Sequence, residues 1–383
     1  MFRRVLRVAV PMAVAGALMA AGGLSQAATT PGWRITATLP ASSSGFDQLA
    51  ATGPGSAWAA GSVCANASCT RNTLLVRHWN GKAWTAVSVP KAYVNSSAEQ
   101  GDSAVAAASG NAWIMNSVAA GAGNATAVLH WTGRGWGATA KLPTIVTSAV
   151  ATSAANAWAL GAAVTSATPG VPYAAHFNGR KWAAVRVPVA GLHASATSAK
   201  NIWAAGFSKL SSSGSPVLGI MDFNGKTWRA TPAPRLGLTA KQIAIPMGIA
   251  ALSATNVWVA GIIVHTSTGA PPKAFLIHWN GTKWAAVKVP YAGAEPTVIA
   301  QDGHGGIWVG VTLLSSSPTP AAYLAHYGNG AWTRVAVPAP RGDVTITQAL
   351  AWIPGTRSLW GFGEEVPVSS PAAAHGVILK YGA

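Results

Sequence analysis

His278-Trp279-Asn280-Gly281-Thr282-Lys283-Trp284-Ala285-Ala286-Val287-Lys288-Val289-Pro290 is the stretch that decides the fold. An aromatic residue, a turn and a second aromatic are followed by an alternating strand that ends on proline. The unit recurs as Trp79 to Trp84, Trp131 to Trp136, Phe177 to Trp182, Phe223 to Trp228, Trp279 to Trp284 and Tyr327 to Trp332. Each copy closes on a proline six or seven residues later: Pro90, Pro143, Pro188, Pro234, Pro290 and Pro338. A second beat runs through Trp58, Trp113, Trp158, Trp203, Trp258, Trp308 and Trp360. Glycine usually follows at the third position (Gly61, Gly161, Gly206, Gly261, Gly363). A period of about fifty residues built from short strands marks units that bury their faces only against their neighbours, as in propellers and solenoids.

The seventh copy separates the two. It starts at Trp360 and reaches Tyr381, and the second half of its hairpin stands at the other end of the chain, in Gly32-Trp33 through Pro40. A repeat shared between the two ends fits a closed ring, which protects its strand edges. The expected fold is all-β: a seven-bladed β-propeller of four-stranded blades, with an N-terminal strand completing the last blade.

Blade three predicts strands near Val146–Ser153, Ala157–Val164, Tyr173–Phe177 and Lys181–Val187, here termed A to D from the inside out. Asn-Gly between apolar runs predicts a type I′ hairpin turn, with both residues at positive φ. Arg186, Arg229, Lys288 and Arg334 on the outer strands discourage edge-to-edge pairing.

Residues 1–27 carry Arg3, Arg4 and Arg7, then an apolar stretch and a small-residue site at Ser25-Gln26-Ala27. That is the pattern of a secretory signal peptide, with Arg3-Arg4 leaving the general secretory and twin-arginine routes both open. Residues 28–383 then form a single domain, expected to be a monomer. No later run is long and apolar enough to span a bilayer. The protein is expected to be secreted or extracellular, in association with the cell envelope. Cys64 and Cys69, in one loop of an exported protein, are expected to form a local disulfide.

Loss of the three leader arginines lowers the formal charge from +17 to +14, a field that favours polyanions. The cations are spread over many blades, which argues against nucleic acid. Lys82, Arg134, Arg180, Lys181, Lys226 and Lys283 lie in or beside the C–D turns and should form a basic rim on the face that carries the short A–B and C–D turns. The long B–C and D–A loops (Cys64–Thr73, Val118–Ala127, Ser208–Pro216, Ile262–Lys273, Leu313–Ala321, Glu364–His375) should share the opposite face, where function on a rigid scaffold usually sits.

Seven of the nine carboxylates fall on that second face. Asp47, Asp102, Glu295 and Asp343 occupy what reads as one shared position before the inner strand, so they should approach the mouth of the central channel. Such a ring could bind a cation or sugar hydroxyls, or supply an acid and a base. Asp before a strand also caps its own loop. Tyr93 and Tyr291 are the aromatic candidates for stacking on sugar. His78, His130, His176, His278 and His326 share one slot before the strand C aromatic, and five copies pointing at five places suit a scaffold role better than catalysis. No metal signature, cofactor motif or nucleophile–base set is expected.

The Trp-x-x-Gly … His-Trp-Asn-Gly-x-x-Trp … Pro units, from Trp33 to Ala383, resemble the repeats of secreted bacterial β-propeller proteins. Asp222-Phe223-Asn224-Gly225-Lys226-Thr227-Trp228 is distantly similar to the Asp-box hairpin of sialidase-type propellers, with Asn in place of the turn aspartate in most copies. Kelch-type propellers are a second distant likeness that lacks their paired glycines here. Neither transfers an active site. Two functions stay open: a non-catalytic binding or scaffolding module for glycans or anionic envelope polymers, and a polysaccharide-active hydrolase or lyase using mouth carboxylates.

Overall fold

The computed structural model describes residues 32–39, 45–64, 71–90, 95–97, 103–120, 123–137, 140–163, 171–210, 214–266, 270–291, 293–313, 321–340, 343–367 and 374–382. The chain divides into Met1–Gly32 and Trp33–Ala383, and the fold described here is that of the second unit. The leader, Cys69, Tyr93 and Asp102 lie outside the described residues, as does the side chain of Cys64. The expected disulfide therefore lies outside them too.

Seven antiparallel sheets form seven blades, each with four strands in the order A-B-C-D; in the first, a short strand Asn95–Ser97 also pairs with strand C. Blade three comprises Ile145–Ser153, Asn156–Ala163, Val171–Phe177 and Trp182–Val185, within a few residues of the sequence expectation. Blade seven comprises Asp343–Trp352, Leu359–Pro367 and His375–Tyr381, with Trp33–Thr38 as its strand D. Trp33 stands opposite Tyr381, as Trp84 stands opposite Trp79 in blade one. The inner strands follow one another around the circle, and that of blade seven touches Gly45–Gly53 of blade one. The ring is closed.

The two aromatic beats interlock from blade to blade. The strand B tryptophan of each blade packs against the C–D hairpin aromatics of the next. Trp58 meets Trp131 at 5.5 Å, Trp113 meets Phe177 at 5.7 Å and Trp158 meets Phe223 at 4.8 Å. Trp203 meets Trp279 at 5.7 Å and Trp258 meets Tyr327 at 5.3 Å. The last two contacts close the circle: Trp308 meets Tyr381 at 4.8 Å and Trp33 at 5.6 Å, and Trp360 meets Trp79 at 4.8 Å. Most of these pairs are tilted or edge-on, the geometry that ring quadrupoles prefer. The fifty-residue spacing is therefore the spacing of one seam.

The shared histidine slot is scaffold, as its repetition implied. His78, His130, His176, His278 and His326 stack on the strand B tryptophan of their own blade at 4.2–4.7 Å. Each Nε2 is hydrogen-bonded to a side chain at or just before the start of strand B: Ser56, Asn111, Asn156, Asn256 and Asp302. Burial lowers the pKa of His78, His130, His176 and His278, so these rings are held neutral, with Nε2–H donating to the amide oxygen where the partner is Asn. Blade four puts Asp222 in the slot, paired with Arg229 at 2.9 Å. Blade seven puts Lys380 there, over the Trp360 ring at 5.5 Å.

The glycine three residues after the strand B tryptophan has a steric cause. Strand A carries a bulge in every blade but the second, between Val146 and Ser148 in blade three and between Gly191 and His193 in blade four. The bulge drives a strand A carbonyl against strand B. A Cβ on Gly161 or Gly206 would land on the carbonyl oxygen of Ile145 or Ala190. Blade two has Asn116 at this position and no bulge.

The expected type I′ turns are corrected in four blades. In Asn80-Gly81, Asn178-Gly179, Asn224-Gly225 and Asn280-Gly281 only the glycine has positive φ, near +90°. The flanking aromatics pair directly, leaving a four-residue loop, and the Asn side chain accepts the N–H groups two and three residues on. Asn329-Gly330 alone has both residues at positive φ. It sits one residue later in its hairpin, where Gly328 pairs with Ala331 and leaves two residues for the turn.

Candidate functional site

Strands alternating in direction put the A–B and C–D turns at one end of each blade, and contacts within the blades bear this out. The Trp79 indole donates to the carbonyl of Pro54 at 2.8 Å, and that of Trp279 donates to Ala254 at 3.1 Å. Lys82, Arg134, Arg180, Lys181, Lys226 and Lys283 are all exposed on this short-loop face. Two further cations join them from A–B turns that the sequence reading passed over. Lys200 lies beside Gly225, and Arg357 donates from Nε to His304 Nε2 at 3.0 Å.

Two carboxylates share this end of the blades, and each is occupied locally. Asp222 pairs with Arg229. Asp302 accepts from the backbone N–H of His304 and Gly306 and lies 2.9 Å from His326 Nε2. Burial alone would raise the pKa of Asp302, but these hydrogen bonds and the His326 ring outweigh it and hold the carboxyl below its ordinary value. The rim cations thus keep their field.

Of the carboxylates expected in one ring at the channel mouth, Asp47, Glu295 and Asp343 do not share a level, and Asp102 lies outside the described residues. Glu295 stands opposite Thr312, in register with Ile145 of blade three. Asp343 stands opposite Pro367, three residues before the equivalent point, because the inner strand of blade seven starts earlier. Asp47 sits inside the bulge of blade one, and its side chain is not among those described. Asp47 thus lies two residues beyond the Glu295 level and Asp343 three before it, so the alignment that spacing suggested is absent. Tyr291 is also displaced from its expected role. It is 2% exposed and packs against Trp332 of the next blade at 6.4 Å, so its ring offers no face to a sugar.

Asp343 belongs instead to a cluster that the sequence did not reveal. Glu365 on strand B, His375 on strand C and Asp343 at the start of strand A meet at the long-loop end of blade seven. His375 Nε2 lies 3.4 Å from Glu365 Oε1, and the Glu365 side chain is 5% exposed. Burial raises the pKa of Glu365, His375 opposes that shift, and a hydrogen bond and charge from Asp343 add to it. An acid whose folded pKa is raised stabilises the fold when protonated and loses that contribution as pH rises through the folded value. Glu365→Gln is therefore expected to raise the melting temperature at pH 7.5, by about 1–3 °C. The gain should vanish by pH 4. A fall at pH 7.5 in a thermal scan would show that the ionised carboxylate is needed.

The third feature is an open groove of about 740 Å³ at the seam of blades three and four. Trp158, His176, Val185, Arg186 and Pro188 line one side, and Phe223, Lys226, Thr227 and Trp228 line the other. Among the described residues no group of three or more His, Cys, Asp or Glu could hold a metal ion. No described helix is long and apolar enough to cross a membrane.

No protein-family model and no curated protein matches the chain. Solved structures share its fold. YCF48 from Cyanidioschyzon merolae superposes with a TM-score of 0.51 at 15% identity, over 92% of this chain and 99% of that one. The GH74 xyloglucanase from Xanthomonas campestris gives 0.55 at 12% identity, over 88% of this chain and 53% of the enzyme. The WD40 β-propeller domain of Doa1 gives 0.51 at 10% identity, over 91% and 97%. A xyloglucanase and a WD40 domain carry different functions on this scaffold, so function must be argued from the sites.

Proposed function

We propose that the protein is an exported, non-catalytic binding propeller that holds anionic polymers or glycans of the cell envelope through its basic rim. One observation carries the reading. Eight exposed Lys and Arg crowd the short-loop face, while Asp222 and Asp302, the carboxylates at that end of the blades, are occupied by Arg229 and His326. The leader in residues 1–27 supports export. The alternative is a polysaccharide hydrolase or lyase, whose two carboxyls would stand about 5–5.5 Å apart when retaining and about 6.5–9.5 Å apart when inverting; among the described long-loop carboxylates, Glu365 is instead paired with His375.

Exposed charges are screened beyond about 10 Å at 0.1 M salt, so adsorption through the rim should weaken steeply between low and physiological ionic strength. Replacing Lys82, Arg134, Lys181 and Lys283 together by Ser is expected to abolish adsorption to anionic envelope fractions at low salt, with the circular dichroism spectrum unchanged. Equal adsorption by this variant would reduce the rim to a solubilising surface.

A further inference from the structure

Among the described residues, the large apolar side chains left exposed are Val171, Leu210 and Leu238, at 57%, 41% and 41%. Scattered singly, such side chains need no explanation, but these three stand at one end of three consecutive blades. Val171 opens strand C of blade three, Leu210 ends strand B of blade four, and Leu238 lies in the connector from blade four to blade five. All three positions belong to the long-loop face, opposite the basic rim.

The backbone beneath them is raised and fixed. In blade five the Ile245–Ile262 pair matches Ile145–Ala162, the pair that starts blade three. Strands A and B of blade five stay paired beyond it, through Ala244–Ile263, Ile243–Val264 and Gln242–His265. Three further pairs lift this ladder by about 10 Å. Phe207 of blade four joins Ile243, Ile245 and Ile262 in a core of their own beneath it. The connector is tied to the top of the ladder. The Gln242 N–H donates to the Thr239 carbonyl at 3.1 Å, the Thr239 N–H to Gln242 Oε1 at 3.1 Å, and the Thr266 N–H to the Lys241 carbonyl at 2.9 Å. Leu236 packs against the core of blades four and five, whereas Leu238 is held out in water.

Charge completes the pattern. Lys209, Arg235, Lys241 and Lys273 are exposed at the same end of blades four and five, and among the described residues none of them is in an ion pair. Residues 145–287, which span blades three to five, contain a single carboxylate, Asp222, and it lies at the other end beside Arg229. Glu295, Asp343, Glu364 and Glu365 stand on blades six and seven. A protein partner is usually met by a contiguous apolar patch with a polar rim. Separate apolar tips among unpaired cations suit a surface into which each tip can dip while its anions meet the cations, and an anionic bilayer is such a surface.

We infer that the long-loop end of blades three to five docks on an anionic phospholipid bilayer. Leu210 and Leu238 dip below the headgroups, and Lys209, Arg235, Lys241 and Lys273 lie on the phosphates. Each basic side chain near such a surface is worth about fivefold in affinity. The acids of blades six and seven are repelled, so the ring stands tilted on blades four and five. This goes beyond polymer binding through the rim, which then faces away from the lipid.

The test floats the exported protein with vesicles of equal parts phosphatidylglycerol and phosphatidylcholine, and with vesicles of phosphatidylcholine alone. Because the rim also attracts anions, every arm is repeated with Lys82, Arg134, Lys181 and Lys283 replaced by Ser. Binding to the anionic vesicles is expected in both backgrounds, at least tenfold tighter than to phosphatidylcholine. Leu210→Ser with Leu238→Ser should weaken it at least fivefold, and Lys209→Ser with Lys241→Ser at least tenfold, with melting temperatures within about a degree of the parent. Leu238→Trp should tighten it several-fold, because indole favours the bilayer interface; a merely structural role for Leu238 gives no such gain. Soluble polyglutamate stands in for an acidic protein as the competing occupant. Absence of vesicle binding once the rim is removed, parental affinity in the double leucine variant, or polyglutamate binding tighter than vesicle binding in the rim-free background would each overturn the inference.

Discussion

Deleting Trp33–Leu39 lowers the melting temperature by at least about 10 °C and exposes a strand edge that pairs with other chains. The segment supplies strand D of blade seven, and two of its side chains, Trp33 and Leu39, are 7% and 5% exposed. Trp33 meets both Trp308 of blade six and Tyr381 of its own blade. Thr36 Oγ1 donates to the carbonyl of Ile378 at 3.1 Å, the Leu39 N–H to Gly376 at 2.8 Å, and the Arg34 guanidinium to Gly382. Truncating one buried Trp costs about 3–5 kcal/mol and one buried Leu about 2–5 kcal/mol. At roughly 2.1 cal/mol/K of unfolding entropy per residue, a domain of this size loses about 1.4 °C per kcal/mol, so the two side chains account for about 7–14 °C and the lost strand hydrogen bonds add to it.

The loss should also be local in origin. Val377 and Leu379, now fully buried, would lose their cover, and the free edge of His375–Tyr381 would template aggregation. A synthetic peptide of residues 33–39 should restore the melting temperature in a concentration-dependent way, because it binds the folded ring alone. A truncated chain that melts within a degree or two of the intact one would mean that the strand is an ornament and that blades one and six hold blade seven without it.

The ring and its closure were legible because their signals are large, repeated side chains with one job each. Trp58, Trp158 and their equivalents recur because every seam needs the same wedge, and Trp33 opposite Tyr381 betrays the divided blade. The strand A bulge has no residue signature of its own and shows only indirectly, in the glycine opposite it in five of the six bulged blades, blade six having Val311 there. Asp47 lies two residues beyond the point that matches Glu295, a difference that spacing from the neighbouring motifs does not show. Turn type likewise depends on more than the Asn-Gly dipeptide, because its position relative to the paired aromatics sets the loop length. Tyr291 stands where a variable loop is expected, yet its ring is buried against Trp332 of the next blade.

Acidification is expected to destabilise the ring in a window that the histidine slot sets. His78, His130, His176 and His278 have folded pKa values below the ordinary 6.5, through burial. In the unfolded chain they titrate near 6.5, so between that value and the lowered folded values the unfolded state binds more protons. Stability then falls as pH falls, with full stability present above about pH 7. Asp302, held below its ordinary value of 3.8, loses its contribution only at much lower pH. Glu365 has the opposite sign and works above 4.5. The four histidines therefore dominate between pH 7 and pH 5. A drop on the order of 5 °C in melting temperature is expected from pH 7.5 to pH 5, reduced from the full four-proton effect because each ring is partly exposed. Replacing all four by Gln should lower stability at pH 7.5, since the stacking on Trp58, Trp113, Trp158 and Trp258 is lost, but it should flatten the pH dependence in that window. A wild-type melting temperature that stays level or rises on acidification would show that these rings accept protons in place, and that the neutral Nε2–H donors are not what ties strand B to strand C.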